Sequence, residues 1–372
     1  MEKGIIAMQK DKIGFGEALC VLLIVVLSHI ILTFPKTILE TQGTGSLLNI
    51  IYLTIMGFIL LTIFIKLYKN FKSKDILDIS DFLGGKILKS IMGIVFIVYL
   101  LFIASLLVRN TSESFRTMYL QNTPIPYLIF ALLVGASYVN KLGSSATIKA
   151  NLIIVPGIFI VLILVFMASV NNFSFGRIFP IMGYGTRNIF VTSFSNLYMF
   201  GGTVFLLFLM PMLKKAEQFS KIAYSAAAIY SITIFLTILS LLLMFPLSIS
   251  SGSNVPIYMQ IREITLGNFI QRTDALFVII WFITLLSYLS IIMNFVTMLF
   301  GKITNIKNSS SVNNCFLAIL FGISLLYSNI VQVRTFQSKY YRLLFLIILG
   351  STFIILILAN LKYKFKNIKI IN

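Results

Sequence analysis

Apolar residues in this chain come in long unbroken runs, punctuated by turn residues and lysines. The runs lie near Ala18–Phe34, Leu47–Leu67, Ile91–Val108, Tyr127–Val139, Ile153–Val170, Ile189–Leu213, Tyr224–Leu247, Ala275–Phe300, Cys315–Val333 and Leu343–Leu361. A helix needs ~20 apolar residues to cross the hydrocarbon of a bilayer, so each run predicts one span. With their flanks they predict helices near 14–38, 47–67, 88–116, 126–141, 146–170, 188–213, 219–247, 273–301, 313–333 and 340–362, in a single transmembrane domain over 1–372. The fourth is the shortest, and Pro124 and Pro126 mark its start. Membrane barrels alternate apolar and polar residues along each strand, so continuous runs exclude one. The expected fold is an all-α integral membrane bundle.

Composition agrees. Of 372 residues 58% are hydrophobic and 11% charged, where soluble domains carry ~45–50% apolar residues. The net charge of +19 would suggest nucleic acid in a soluble protein. Its distribution gives another reading: with ten spans, 20 of the 30 Lys and Arg fall on the side of both termini and 10 on the other. The richer side is the cytoplasmic one by the positive-inside rule, so both termini are expected in the cytoplasm. The lysines there face anionic lipid headgroups, each worth ~1 kcal/mol, and no nucleic acid partner is needed. All eight arginines fall on the other side or in the outer halves of helices. On that side, Ile257, Ile261 and Ile264 recur at helical spacing after Pro256, predicting an interfacial helix near 256–269 with Gln260, Arg262 and Glu263 off the stripe. The charge pattern does not separate a helix lying on the bundle from one that docks a partner. The charged start followed by an apolar run without a small-residue cleavage motif predicts a retained first helix, not a signal peptide.

Little in the chain suggests an enzyme. One histidine excludes His-cluster metal sites, and there is no Walker A run or G-x-G-x-x-G fingerprint, so neither cofactor nor metal is expected. Gly183-Tyr184-Gly185 lacks the Thr-Val lead-in of a potassium filter. Cys20 and Cys315 lie within apolar runs and predict no disulfide.

The informative features are two interrupted helices. In helix one Ser28, His29 and Thr33 break the apolar run and Pro35 follows. In helix six Thr192, Ser193, Ser195 and Asn196 make the first half polar and Gly201 and Gly202 sit at the centre. Interruptions five helices apart suggest an inverted repeat. Unwinding there frees backbone groups, and half-helix N-termini offer partial positive charge to a carboxylate, so an amino acid is the natural ligand class. Serine and threonine that kink packed helices, with glycines allowing close contact, produce the same pattern.

Three segments resemble a known family. Leu32-Thr33-Phe34-Pro35-Lys36 is similar to the first-helix motif of the amino acid, polyamine and organocation transporter superfamily. Pro180, Gly183 and Gly185 before helix six, with Pro211 closing it, resemble the B subunits of GerA-type spore germinant receptors (the spore germination permease family), as does the ten-span length. Arg272-Thr273-Asp274-Ala275-Leu276-Phe277, with Trp281 four residues on, resembles that family's entry into helix eight. The family usually carries glycine at the helix-one break, where this chain has Ser28 and Ile30.

The resemblance implies a LeuT-like 5+5 inverted repeat with discontinuous helices one and six, and helices three and eight lining the same cavity. It places the ligand among Ser28, His29, Ile31 and Thr33 of helix one, Tyr99 and Ile103 of helix three, Met199 and Phe200 of helix six, and Thr284 and Tyr288 of helix eight. Thr284 and Tyr288 are four apart and share a face. A tyrosine hydroxyl bonded to a neighbouring helix accounts for any one of these equally well. Arg109 and Glu113, also four apart, suit either a gating ion pair or interfacial snorkelling. Lys149 is placed like a lysine that replaces a sodium ion in proton-coupled relatives, and the positive-inside rule accounts for it too. The implied function is a receptor subunit in the inner membrane of a bacterial spore, binding a small germinant, an amino acid, and read by partner A and C subunits. A proton-coupled amino acid permease is the alternative, and a structural scaffold a third reading.

Overall fold

The computed structural model describes residues 12–32, 34–264, 273–306 and 310–371. Seven helical stretches are long and apolar enough to cross a membrane, and three shorter apolar helices, Phe15–His29, Ile125–Lys141 and Ser311–Leu325, accompany them. In chain order the main elements are α1 (Phe15–Leu32), α2 (Phe34–Gln42), α3 (Ser46–Tyr68), α4 (Ile76–Met118), α5 (Ile125–Lys141), α6 (Ser144–Ser169) and α7 (Thr186–Phe190). A 3-10 stretch, Thr192–Phe205, leads into α8 (Leu206–Leu209), followed by α9 (Phe219–Met244), α10 (Leu247–Gly252), α11 (Pro256–Arg262), α12 (Thr273–Thr304), α13 (Ser310–Leu325), α14 (Ile330–Thr335) and α15 (Arg342–Ile371). Among the described residues the only strand-like pairing is one bridge, Ile13 with Leu213.

Burial sorts these helices. The apolar window of the Thr186–Met212 stretch is 88% buried and that of α4 72%, against 17% for the stretch beginning with α6. On α3, Ile51, Ile55, Ile59 and Ile63 are exposed at intervals of four, while Asn49, Leu53, Gly57, Leu61 and Phe64 are buried. An isoleucine stripe facing outward is what a lipid-facing helix needs, since water would penalise it and hydrocarbon does not. Around the buried stretch, α1 packs against α6, α9 and α12, and α4 against α12 and α15.

Several boundaries differ from the hydropathy reading, each for a local reason. Helix α4 begins at Ile76, with Asp75 as N-cap in a reciprocal capping box with Asp78, and Gly84 and Gly85 leave helical geometry before the apolar run. The Cys315–Val333 run merges two elements: α13 stops at Leu325, and the Asn329 side chain caps α14 by accepting from Gln332 N. Hydropathy does not register a cap inside an apolar run. Of the helix predicted near 256–269, Pro256–Arg262 is helical, and residues 265–269 lie outside the described residues. Gln260, expected off the apolar stripe, is buried and donates to Ser169 Oγ at 2.8 Å and to Ser240 Oγ. Here the helix roofs α6 and α9 instead of presenting a polar face.

Candidate functional site

Helix one is described as Phe15–Leu32 and Phe34–Gln42, on either side of Thr33; Thr33 and the side chain of Ile31 lie outside the described residues. Helix six departs from α-helical geometry. Where the sequence suggests unwinding at Gly201 and Gly202, the backbone runs as 14 residues of 3-10 helix, far beyond the three or four usual for that geometry. Such long 3-10 stretches are typical of strained or functional segments. Two glycines seat it. A Cβ on Gly201 would stand 3.0 Å from Tyr341 Oη and 3.4 Å from Tyr99 Oη. Gly183, in the approach to helix six with φ +45°, lies against Gln42 O and Gly45 N so closely that no side chain fits.

Where α1 packs against the 3-10 stretch, aromatic side chains fill the bundle centre. His29 Nε2 is 3.2 Å from Tyr288 Oη. The imidazole is edge-on to Tyr288 at 5.5 Å and stacked on Tyr341 at 6.2 Å between centroids. Tyr341 meets Tyr198 at 5.0 Å and Tyr99 at 6.3 Å, and Phe34 meets Tyr198 at 5.5 Å and Tyr230 at 6.3 Å. Five tyrosines and the single histidine, from helices one, three, six, seven, eight and ten, thus form one buried group. The Tyr230 hydroxyl is buried with no hydrogen-bond partner among the described residues, and such a group costs ~1–3 kcal/mol unless something binds it.

Of the residues chosen from sequence, His29, Tyr99 and Tyr288 belong to this group. Met199 and Ile103 are buried in the core. Ser28 and Thr284 are fully buried, but each hydroxyl donates to its own helix, at Ile24 O (2.8 Å) and Ile280 O (2.7 Å). Phe200 turns toward α3, its ring against Gly57 and edge-on to Tyr230 at 5.5 Å, beside a narrow cavity of about 50 Å³. Lys149 is exposed. The polar groups α6 sends inward are Thr147, 3.1 Å from Ser290 Oγ, and Asn151, whose Oδ1 accepts from Ser287 at 2.5 Å.

Away from the centre, Arg109 and Glu113 form a buried ion pair at 2.8 Å, extended by Arg116 at 3.3 Å and by a bond from Arg109 to Ser328 O. This joins α4 to the turn before α14, and with both partners only 7% exposed it is not a snorkelling pair. The entry to helix eight is also a clamp: Asp274 accepts from Tyr119 Oη at 2.9 Å and from Tyr258 Oη at 3.3 Å, and Trp281 stacks on Phe115 at 4.9 Å. Arg272 lies outside the described residues. Sequence reasoning missed Tyr198, Tyr230, Tyr341 and Phe34. Of the three tyrosines only Tyr198, three residues before Gly201 and Gly202, stands beside a sequence signal.

The architecture has a counterpart among solved structures. A Na+-coupled sialic acid symporter, solved in a substrate-bound outward-open state, matches with a TM-score of 0.63 over 92% of this chain and 78% of that one, at 12% identity. This places the chain in the LeuT-like fold, the inverted repeat with interrupted helices one and six. Two spore germination proteins of Bacillus subtilis (strain 168) are similar in sequence. Protein KB is 21% identical over 278 residues, 73% of each chain. YndE is 25% identical over 176 residues, and the match spans about half of either chain (47% of this one, 48% of YndE). The family model described as spore germination protein matches residues 12–337. Multi-pass membrane helices, a transporter-like fold and this match point to a receptor or transporter rather than an enzyme, and the chain belongs to the spore germination permease family.

Proposed function

We propose that this protein is the membrane subunit of a spore germinant receptor. It binds a small germinant of the amino acid class at the helix-one break and passes the signal to partner A and C subunits. The observation that carries this reading is the buried group of five tyrosines and His29 at the crossing of the interrupted helices, in a chain of a spore germination family. At the interruption of helix one that belongs to the LeuT-like fold, a half-helix N-terminus supplies partial positive charge for a carboxylate, and the surrounding hydroxyls donate and accept around a small polar ligand. Ligand that fits one arrangement of the two repeats better shifts the population toward it, and the partner subunits read the shift. The lysine-rich end faces the cytoplasm, and the membrane is the inner membrane of the spore.

A second reading, a proton-coupled amino acid permease, draws on the likeness to a symporter. Deleting the gene separates the two. As a receptor subunit its loss abolishes the spore response to one germinant class and leaves vegetative uptake of that amino acid unchanged. Loss of uptake with an intact spore response favours the permease.

A further inference from the structure

At the arginine-rich end of the bundle two cations converge on one neutral oxygen. Lys36, on α2, is only 6% exposed. Its Nζ donates to Gly252 O at 3.2 Å and to Asn254 Oδ1 at 3.3 Å. Arg334, brought in by α14, donates to the same Asn254 Oδ1. An ammonium and a guanidinium that share one amide oxygen stand close together, and the guanidinium keeps its charge at any ordinary pH. Among the described residues, the charges acting on Lys36 are Arg334, of like sign, and Glu40. The Glu40 carboxylate is 3.5 Å away and 44% exposed, and a carboxylate so solvated offsets little. The same wall continues inward: Arg342 lies over the Tyr198 ring, 5.5 Å from its centroid. Arg334 and Arg342 are half-buried, and Lys36 is the buried cation; a buried charge is unfavourable unless a counter-charge completes it.

We propose that Lys36 and Arg334 form an anion-binding site at this mouth, taking a small anion of carboxylate size. The anion accepts from both cations in place of the Asn254 amide oxygen. Because that oxygen ties α2 and α14 to the 252–254 segment, anion binding releases the tie. The site is separate from the tyrosine group, which begins at Phe34, and it holds whether the protein signals or transports. Two sources share this chemistry, the carboxylate of an organic ligand on its way inward and a free inorganic anion such as chloride.

The test uses the purified full-length protein in detergent, in a chloride-free buffer balanced in ionic strength with a bulky sulfonate. Melting temperature is followed against acetate, chloride and neutral acetamide, because a ligand bound only by the folded state raises it. Acetate or chloride is expected to raise it saturably while acetamide does not. Lys36→Gln and Arg334→Gln should each raise the half-saturating concentration at least tenfold, and Lys36→Arg, which keeps the charge, much less. A response to acetate alone assigns the site to organic carboxylates, and a response to chloride assigns it to inorganic anions; both support it. No saturable response to either anion, an equal response to acetamide, or unchanged half-saturation in Arg334→Gln overturns it. Where Lys36→Gln fails to fold, Arg334→Gln and the wild-type anion dependence carry the decision.

Discussion

At the bundle centre one tyrosine hydroxyl meets the histidine, while that of Tyr230 has no hydrogen-bond partner among the described residues. Tyr288 Oη is 3.2 Å from His29 Nε2, which orients the imidazole beside the helix-one break. Removing that hydroxyl by Tyr288→Phe leaves the ring packing intact and deletes one hydrogen bond, worth ~0.5–1.5 kcal/mol, or up to about tenfold in affinity. Half-maximal ligand response should therefore move to higher concentration by up to about tenfold, with protein abundance unchanged. Thr284→Leu is harsher because the site is fully buried and extra bulk in a packed core costs ~1–3 kcal/mol. Wild-type response from both variants would show that the ligand binds elsewhere. Tyr99, Tyr288 and His29 were legible because each interrupts or faces an apolar run at a position the inverted repeat makes central. Tyr198, Tyr230 and Tyr341 were not, because membrane helices place tyrosines in many roles and only the crossing of the 3-10 stretch with helices seven and ten brings these three together.

Single elements show where hydropathy stops informing. The run at Cys315–Val333 is continuous in apolarity, yet the Asn329 cap divides it, and the helix-six interruption takes the form of 3-10 winding that no periodicity signals. At the lysine-rich end, the start of α4 is anchored by Lys302, which lies 2.5 Å from Asp75 and 3.1 Å from Asp78. Burial raises the Asp75 carboxyl from 3.8 to about 6 against the opposing pull of Lys302. The folded protein therefore holds this proton more tightly than the unfolded chain. Its contribution favours folding fully below the ordinary carboxylate range and is lost as pH rises through about 6. Asp75→Asn keeps a competent N-cap and removes the titration. The wild-type melting temperature should thus fall relative to Asp75→Asn between pH 4 and 7, and parallel curves would contradict the assignment.

For the whole molecule, the membrane class and repeat architecture were readable because long apolar runs and two interruptions five helices apart survive without any knowledge of contacts. Orientation rests on the two-to-one bias of Lys and Arg together and makes a direct expectation. In a background without Cys20 and Cys315, Glu263→Cys should react with an impermeant maleimide on intact cells and Ser73→Cys should not; both positions are exposed. The reverse pattern would invert the bundle. The central claim is that ligand binding biases an equilibrium instead of driving a transport cycle. A ligand that prefers one state ~150-fold shifts it by about 3 kcal/mol, which suffices for signalling, whereas transport must complete the return. The most direct measurement reconstitutes the purified protein in liposomes and follows, in the same preparation, binding of a germinant amino acid and its accumulation. The account predicts saturable binding that Thr284→Leu weakens, with little substrate-dependent accumulation; robust, saturable uptake by the protein alone, lost in Thr284→Leu, would contradict it.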